Sequence, residues 1–136
     1  NMAAALKYFL DGSAGIWAEG SLSGKPAAVF TSTSTMHGGQ ESTILALSNT
    51  LYHWGMLILP LGYTASEVFN AGGNPYGTSY TSGKRVEGPD ERALAVARYQ
   101  GQRLARYAAV VGAAREADAC RVKRPRPERF QAAALD

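Results

Sequence analysis

The sequence contains little of what disulfide frameworks, metal centres and membrane spans require. Of its 136 residues, one is cysteine and two are histidine. The single cysteine, Cys120, excludes an intrachain disulfide and fits a reducing compartment, and so few ligands argue against a metal site. The longest apolar run, Met56 to Leu61, is too short to cross a bilayer. We therefore expect a cytoplasmic protein without a metal site or a membrane span.

An excess of one charge sign is also missing from most of the chain. The formal net charge is +3 and hydrophobic residues make up 46% of the sequence, which is ordinary for a globular domain. The body of the chain therefore predicts no nucleic-acid partner. Residues 115–136 differ, because Arg121 to Arg129 is basic and contains two prolines, and they predict a disordered tail. A contact of this tail with nucleic acid or an acidic surface remains a weaker alternative.

Apolar periodicity predicts helices that alternate with parallel strands. Strands are expected over Ala27–Phe30 and Met56–Leu59, because both runs are apolar throughout, as in strands covered on both faces. Helices are expected over Met2–Leu10 and Gly39–Trp54.

A third helix is expected after Pro89, where a stripe of helical period predicts the buried face and Gly101 predicts close packing on the sheet. The predicted stripe is Leu94, Ala97, Gly101, Leu104, Ala108 and Val111. Residues 13–25 and 61–88 are rich in glycine and turn-forming residues and predict loops.

The segment from Phe30 to Glu41 is the most informative part of the chain. An apolar strand gives way to hydroxyls and glycines, and a helical pattern then begins at Gln40. In α/β proteins this arrangement presents backbone N–H groups to an anionic or polar ligand, and Gly38 and Gly39 allow a close approach. An ordinary strand-to-helix turn with Ser/Thr capping is the alternative.

Eight short motifs occur in an order that resembles the WrbA-type NAD(P)H:quinone oxidoreductases, which are flavodoxin-like FMN proteins. The resemblance extends from Asn1 to about Ala114. The motifs are Asn1-Met2-Ala3, Phe9-Leu10-Asp11, Gly15-Ile16-Trp17-Ala18, Gly24-Lys25-Pro26-Ala27, His37-Gly38-Gly39-Gln40-Glu41, His53-Trp54-Gly55-Met56, Gly72-Gly73-Asn74-Pro75-Tyr76-Gly77 and Ala97-Arg98-Tyr99-Gln100-Gly101.

This resemblance implies an α/β fold with a doubly wound parallel sheet of the flavodoxin type, present here incompletely. The chain begins inside the family's second flavin-contacting loop, so the N-terminal strands and the loop that binds the FMN phosphate are expected to be absent. Residues 1–114 are then the C-terminal part of a flavodoxin-like domain, and 115–136 are the added tail.

The resemblance also implies the site residues. In the family, the loop that matches residues 32–38 runs along the flavin, which predicts FMN contacts for Ser32, Thr33, Ser34, Thr35, Met36, His37 and Gly38. His53 matches a histidine near the flavin and is the predicted catalytic residue, with helix-dipole stabilisation as its alternative role. Trp17 is expected to reach the flavin site of a neighbouring subunit and to form a wall for quinone or nicotinamide, or else to anchor its own loop. His37 has a structural alternative at the helix start.

Two functions follow from the resemblance. The first is an FMN-dependent enzyme that transfers two electrons from NADH or NADPH to a quinone and that assembles as a homo-oligomer, a tetramer in the family. The second is a non-catalytic remnant or interaction module that cannot hold FMN alone. Flavin absorbance of the purified protein distinguishes them. No Ser-His-Asp set and no Walker-type phosphate loop is present to suggest another chemistry.

Overall fold

The protein is described by a computed structural model covering residues 1–84 and 88–121, with side chains for 1–84 and 88–117. These residues form a mixed α/β structure with short strands. In chain order its elements are α1 Ala4–Asp11, α2 Ala14–Ala18, β1 Pro26–Ala27, β2 Thr31–Thr33, α3 Gln40–His53, β3 Leu57–Ile58, α4 Ser66–Asn70, β4 Ser79–Thr81 and α5 Glu91–Arg121.

Within the described residues, all strand pairing is parallel and involves one segment of the chain, residues 26–33. β1 pairs with β3, and β2 pairs with β4. The N–H groups of Leu57 and Leu59 donate to the carbonyls of Lys25 and Ala27, and the N–H of Thr31 donates to a carbonyl of the β4 side. The residues that make these bonds on this side, Lys25, Ala27 and Thr31, are all odd-numbered. Because successive backbone groups of a strand face opposite sides, β3 and β4 lie along the same edge of residues 26–33.

The opposite edge of this segment has no strand beside it in the part of the chain that the structure describes. Its even-numbered residues are Ala28, Phe30 and Ser32, and none of their backbone groups is paired with another described strand. The backbone groups of Phe30 face this edge, and its side chain, which projects from a face of the strand, is 74% exposed. An edge of this kind is open to a further strand.

A cluster of buried hydrophobic residues lies between α4 and α5. Leu61, Val68 and Val96 are almost fully buried and pack together, with Tyr99 at their border. The hydroxyl of Tyr99 lies 2.8 Å from the Thr64 hydroxyl. α3 packs on β2 and β3, while α5 packs on β1 and α4. α5 is thereby fixed across the short strands.

The expected loop over residues 61–88 is wrong in part. It contains α4 and β4, and Val68 within it is 1% exposed. Glycine and turn residues around these short elements concealed them from a periodicity search. The expected loop over 13–25 likewise contains α2.

The buried face of α5 also differs from the predicted stripe. Ala93, Val96 and Gln100 are buried, whereas Leu94 is exposed. No neighbouring atom lies within 4 Å of the position of a Cβ on Gly101, so this glycine is not explained by close packing. Gln100 is polar but occupies a core position of α5. The buried face therefore does not coincide with the stripe of apolar residues.

α5 continues beyond Ala114 as far as Arg121, so residues 115–121 are helical and not part of an irregular tail. The guanidinium Nη1 of Arg115 donates to the carbonyl of Ser23 at 2.9 Å, which ties this end of α5 to the loop before β1. The remaining residues of the predicted tail, 122–136, lie outside the described residues.

Candidate functional site

The loop between β2 and α3 is held at its base and exposed at its tip. The Thr33 hydroxyl donates to the Thr35 carbonyl at 2.7 Å and accepts from Gln40 Nε2 at 2.8 Å. The same Gln40 nitrogen lies 3.0 Å from the Thr81 hydroxyl of β4. The loop is thus connected to the helix that follows it and to the neighbouring strand.

Gly38 closes the loop in a tight turn. Its N–H donates to the Thr35 carbonyl at 3.0 Å, and a Cβ on Gly38 would lie only 2.6 Å from the Thr33 Cβ. A side chain at this position therefore requires the loop to move. Gly39 then begins α3 with a φ of 80°, in the left-handed region that favours glycine.

The tip of the loop carries unused hydrogen-bond donors. Among the described residues, no acceptor receives the backbone N–H groups of residues 34–37. Ser32, Ser34, Thr35, Met36 and His37 are exposed. A short, anchored loop with a row of free donors at the carboxyl end of a parallel strand is suited to a polar ring or an anion.

The other two predicted residues, Trp17 and His53, lie together at the opposite end of α3. Trp17 Nε1 donates to the His53 carbonyl at 2.9 Å. Both side chains line a small cavity of about 260 Å³, along with residues of α1 and the last turn of α3. Trp17 is 53% exposed, so about half of its surface is accessible to another molecule.

Within one chain, the loop of residues 32–38 does not lie next to Trp17 and His53. The loop precedes α3, and His53 is the last residue of this 14-residue helix. At 1.5 Å per residue the two ends of α3 are about 20 Å apart. Ser32 to Gly38 therefore form one candidate surface, and Trp17 with His53 forms another.

A larger cavity of about 880 Å³ adjoins the loop on its β4 side. It is lined by the first turn of α3, by α4 and its following turn, by β4, and by the start of α5. The sequence patterns did not predict this cavity. The sequence shows the Gly72-Gly73-Asn74 turn and the starts of α3 and α5 as separate features. Only the fold brings these three features together around the cavity.

Two further findings limit the kinds of site in the described residues. No three His, Cys, Asp or Glu side chains in residues 1–84 and 88–117 are grouped as metal ligands would be. No helix in the described ranges combines the length and the apolar character that crossing a membrane requires.

The fold and the loop define a class: an α/β protein with parallel strands and an exposed polar loop at a strand's carboxyl end. No family model matches the chain. The curated relatives are more specific, and they confirm the resemblance found in the motifs. A protein of Geotalea uraniireducens named NAD(P)H dehydrogenase (quinone) is 47% identical over 114 residues, which cover 80% of this chain and 56% of the relative. A protein of the same name from Geotalea daltonii is 47% identical over 113 residues, covering 79% and 55%.

This chain is therefore a homologue of the NAD(P)H dehydrogenases (quinone). It spans about half the length of the curated relatives that it matches.

Proposed function

We propose that this chain is the C-terminal portion of a flavodoxin-like, FMN-dependent oxidoreductase that transfers two electrons from NADH or NADPH to a quinone. The observation that carries the proposal is the anchored loop of residues 32–38 with its free N–H donors, in a chain 47% identical to proteins named for this reaction. The open edge of residues 26–33 supports a larger sheet, in which the preceding strands of a doubly wound fold pair along Ala28 and Phe30.

The residues at hand fit one part of FMN. Its isoalloxazine edge carries carbonyls and ring nitrogens, and the free N–H groups of residues 34–37, with the hydroxyls of Ser32 and Ser34, are suited to hydrogen-bond them. When bound, FMN supplies the two-electron chemistry that links nicotinamide oxidation to quinone reduction. In our proposal the phosphate is held by a loop that precedes this chain.

The protein's own contribution to the reaction is orientation and proton supply. Donors on the loop stabilise negative charge that develops near them, because they are fixed before the reaction begins. The His53 imidazole hydrogen-bonds or protonates an oxygen of the quinone, and the Trp17 ring provides a flat surface on which nicotinamide or quinone stacks.

We propose that a second copy of the chain supplies His53 and Trp17 together. The two residues share one cavity and a hydrogen bond, and they lie about 20 Å along α3 from the loop. A site containing loop, His53 and Trp17 therefore needs the α3 C-terminus of one subunit beside the loop of another. This supports a homo-oligomeric enzyme, with the family's tetramer as the expected assembly, and we propose separately that the enzyme is cytoplasmic.

A non-catalytic remnant or interaction module is the second candidate. The separation of His53 from the loop within one chain favours it, because it leaves neither surface with a complete set of groups.

Purification of the complete protein tests both candidates. The enzyme is expected to retain visible flavin absorbance and to reduce benzoquinone with NADH or NADPH. A colourless protein that gains neither absorbance nor activity on addition of FMN would establish the remnant. Size-exclusion chromatography with light scattering gives the assembly: an active monomer would contradict the shared site.

A further inference from the structure

The large cavity beside the loop, called here the α3–α4 cleft, contains several side chains whose bonding capacity is unused. Glu41 in the first turn of α3, Asn70 at the end of α4 and Arg92 in the first turn of α5 all line it. None of these three makes a side-chain hydrogen bond or ion pair with another described residue. A carboxylate, an amide and a guanidinium thus surround one space of about 880 Å³.

The cleft also has an aromatic wall. Phe69 lines it and stacks on Tyr63, with ring centroids 5.4 Å apart and an angle of 21° between the ring planes. Phe69 is nevertheless 58% exposed. An accessible aromatic ring is a suitable stacking partner for a flat heterocyclic base.

The cleft is continuous with the proposed flavin loop, because Met36 and His37 belong to both. A ligand that has one end at the loop and a base at its other end can therefore occupy both surfaces. The nicotinamide dinucleotides have this form: a nicotinamide that must reach the flavin, a diphosphate, and an adenosine.

We infer that the α3–α4 cleft binds the adenosine end of the nicotinamide dinucleotide. Phe69 stacks on the adenine, and the Asn70 amide pairs with the adenine edge, where an amide can both donate and accept. Glu41 accepts from the ribose hydroxyls, as a carboxylate does in dinucleotide sites, and Arg92 binds the diphosphate. This inference rests on the proposed function, since it assumes a nicotinamide donor.

The Glu41 carboxylate of the cleft favours NADH over NADPH. It makes no ion pair with a described residue. A 2′-phosphate would add two negative charges beside the carboxylate that receives the ribose hydroxyls. NADPH is therefore expected to bind more weakly than NADH.

The complete protein allows the cleft to be tested apart from the reaction. ADP-ribose contains the adenosine and diphosphate but no nicotinamide, and its dissociation constant can be measured by isothermal titration calorimetry. Phe69→Ala should weaken ADP-ribose binding at least about fivefold, the lower range for loss of one base-stacking ring. Phe69→Leu keeps the apolar bulk and should show most of the same loss if stacking is responsible.

Flavin reduction by two donors provides the second measurement. Phe69→Ala should raise the concentration of NADH needed for half-maximal reduction and leave unchanged that of reduced nicotinamide mononucleotide, which lacks the adenosine. Glu41→Gln should narrow the preference for NADH over NADPH by at least about fivefold, since one pair of unit charges about 4 Å apart in water interacts with about 1 kcal/mol. Glu67→Gln is the matched control, because this carboxylate is on α4 but does not line the cleft.

Equal effects of Phe69→Ala on both donors, or an effect on the KM for quinone alone, would overturn the inference. So would a Glu67→Gln effect as large as that of Glu41→Gln, since general electrostatics would then account for both. If neither donor reduces a flavin, the proposed function fails, whereas unaltered ADP-ribose binding by Phe69→Ala in an active enzyme rejects only the cleft.

Discussion

The side-chain amide of Gln100 reaches across the fold to the backbone of Val29. Its Nε2 donates to the Val29 carbonyl at 2.9 Å, and its Oε1 accepts from the N–H of Thr78 at 2.7 Å. Val29 lies between β1 and β2, and Thr78 immediately precedes β4. β3 and β4 pair with the two ends of residues 26–33, and no described strand pairs with Val29 between them. The buried Gln100 amide takes the place of that missing strand.

Gln100→Ala should lower the free energy of unfolding by about 2–6 kcal/mol, because it leaves a buried N–H and a buried carbonyl unsatisfied at about 1–3 kcal/mol each. Chemical denaturation followed by circular dichroism measures the change. Gln102→Ala is the matched control: this exposed residue of α5 makes no hydrogen bond to the described residues, and its loss should cost less than about 0.5 kcal/mol. Equal midpoints for the two variants would show that the bridge contributes nothing.

Two glycines should respond in opposite directions to alanine. A Cβ on Gly77 would lie 2.1 Å from the Val29 carbonyl oxygen, so Gly77→Ala must displace backbone and should destabilise strongly. Gly101 lies in α5 with no atom within 4 Å of a new Cβ, so Gly101→Ala should stabilise by about 0.8–1.0 kcal/mol through helix propensity. Thermal unfolding of both variants checks the sign. A drop in midpoint for Gly101→Ala would indicate a packing partner at this face.

The parts of the fold that follow simple periodicity were predictable. α3 and β3 have apolar residues at helical spacing or in an unbroken run, and their expected bounds agree with the structure within one residue at each end. β4 is only three residues long and follows a glycine-rich turn, so its pattern is too short for a period to emerge. Gln100 shows a second limit of periodicity. It is buried because it hydrogen-bonds Val29 and Thr78, but a search for apolar residues at helical spacing does not find a polar residue.

The exposed loop was predictable from residue type, whereas the distances between the candidate residues were not. Hydroxyls and glycines after an apolar strand predicted the exposed loop, and the family motifs singled out Trp17 and His53. Sequence gives no distance between them, and the length of α3 separates them. The FMN and quinone roles of all these residues stay predictions. Phe69 and Arg92 carry no local motif, and only the fold brings them to one cleft.

Gly38→Ala should reduce the flavin content of the complete protein. The new Cβ would lie 2.6 Å from the Thr33 Cβ, so the loop must shift and its N–H donors move with it. Gly112→Ala, in a helix with open space around it, is the control and should retain its flavin. The ratio of visible to ultraviolet absorbance of the purified proteins gives the content. Full flavin content in Gly38→Ala would remove this loop from the proposed site.

His53→Ala should slow quinone reduction more than it weakens FMN binding. In the proposed assembly His53 meets the reacting groups from a neighbouring subunit, away from the phosphate. Stopped-flow measurement of the two half-reactions separates these effects, and flavin titration gives the affinity. Unchanged rates with an intact oligomer would leave His53 as a residue that ends α3 and no more.

Trp17 offers a test that separates its ring from its hydrogen bond. Trp17→Phe loses the 2.9 Å bond from Nε1 to the His53 carbonyl but keeps an aromatic face. Trp17→Ala loses both. Aromatic pairs are worth about 0.5–1.5 kcal/mol beyond their burial, so Trp17→Ala should raise the KM for quinone several-fold in the complete protein.

If Trp17 acts as a stacking wall, Trp17→Phe should retain most of the quinone affinity. If its contribution is to hold the end of α3 in place, Trp17→Phe should behave like Trp17→Ala, and both should lower the thermal midpoint. Steady-state quinone kinetics and thermal unfolding of the three proteins distinguish these outcomes. Trp17 is half exposed beside His53, which leaves its ring accessible to a neighbouring subunit, and we therefore expect the ring and not the N–H to determine the KM.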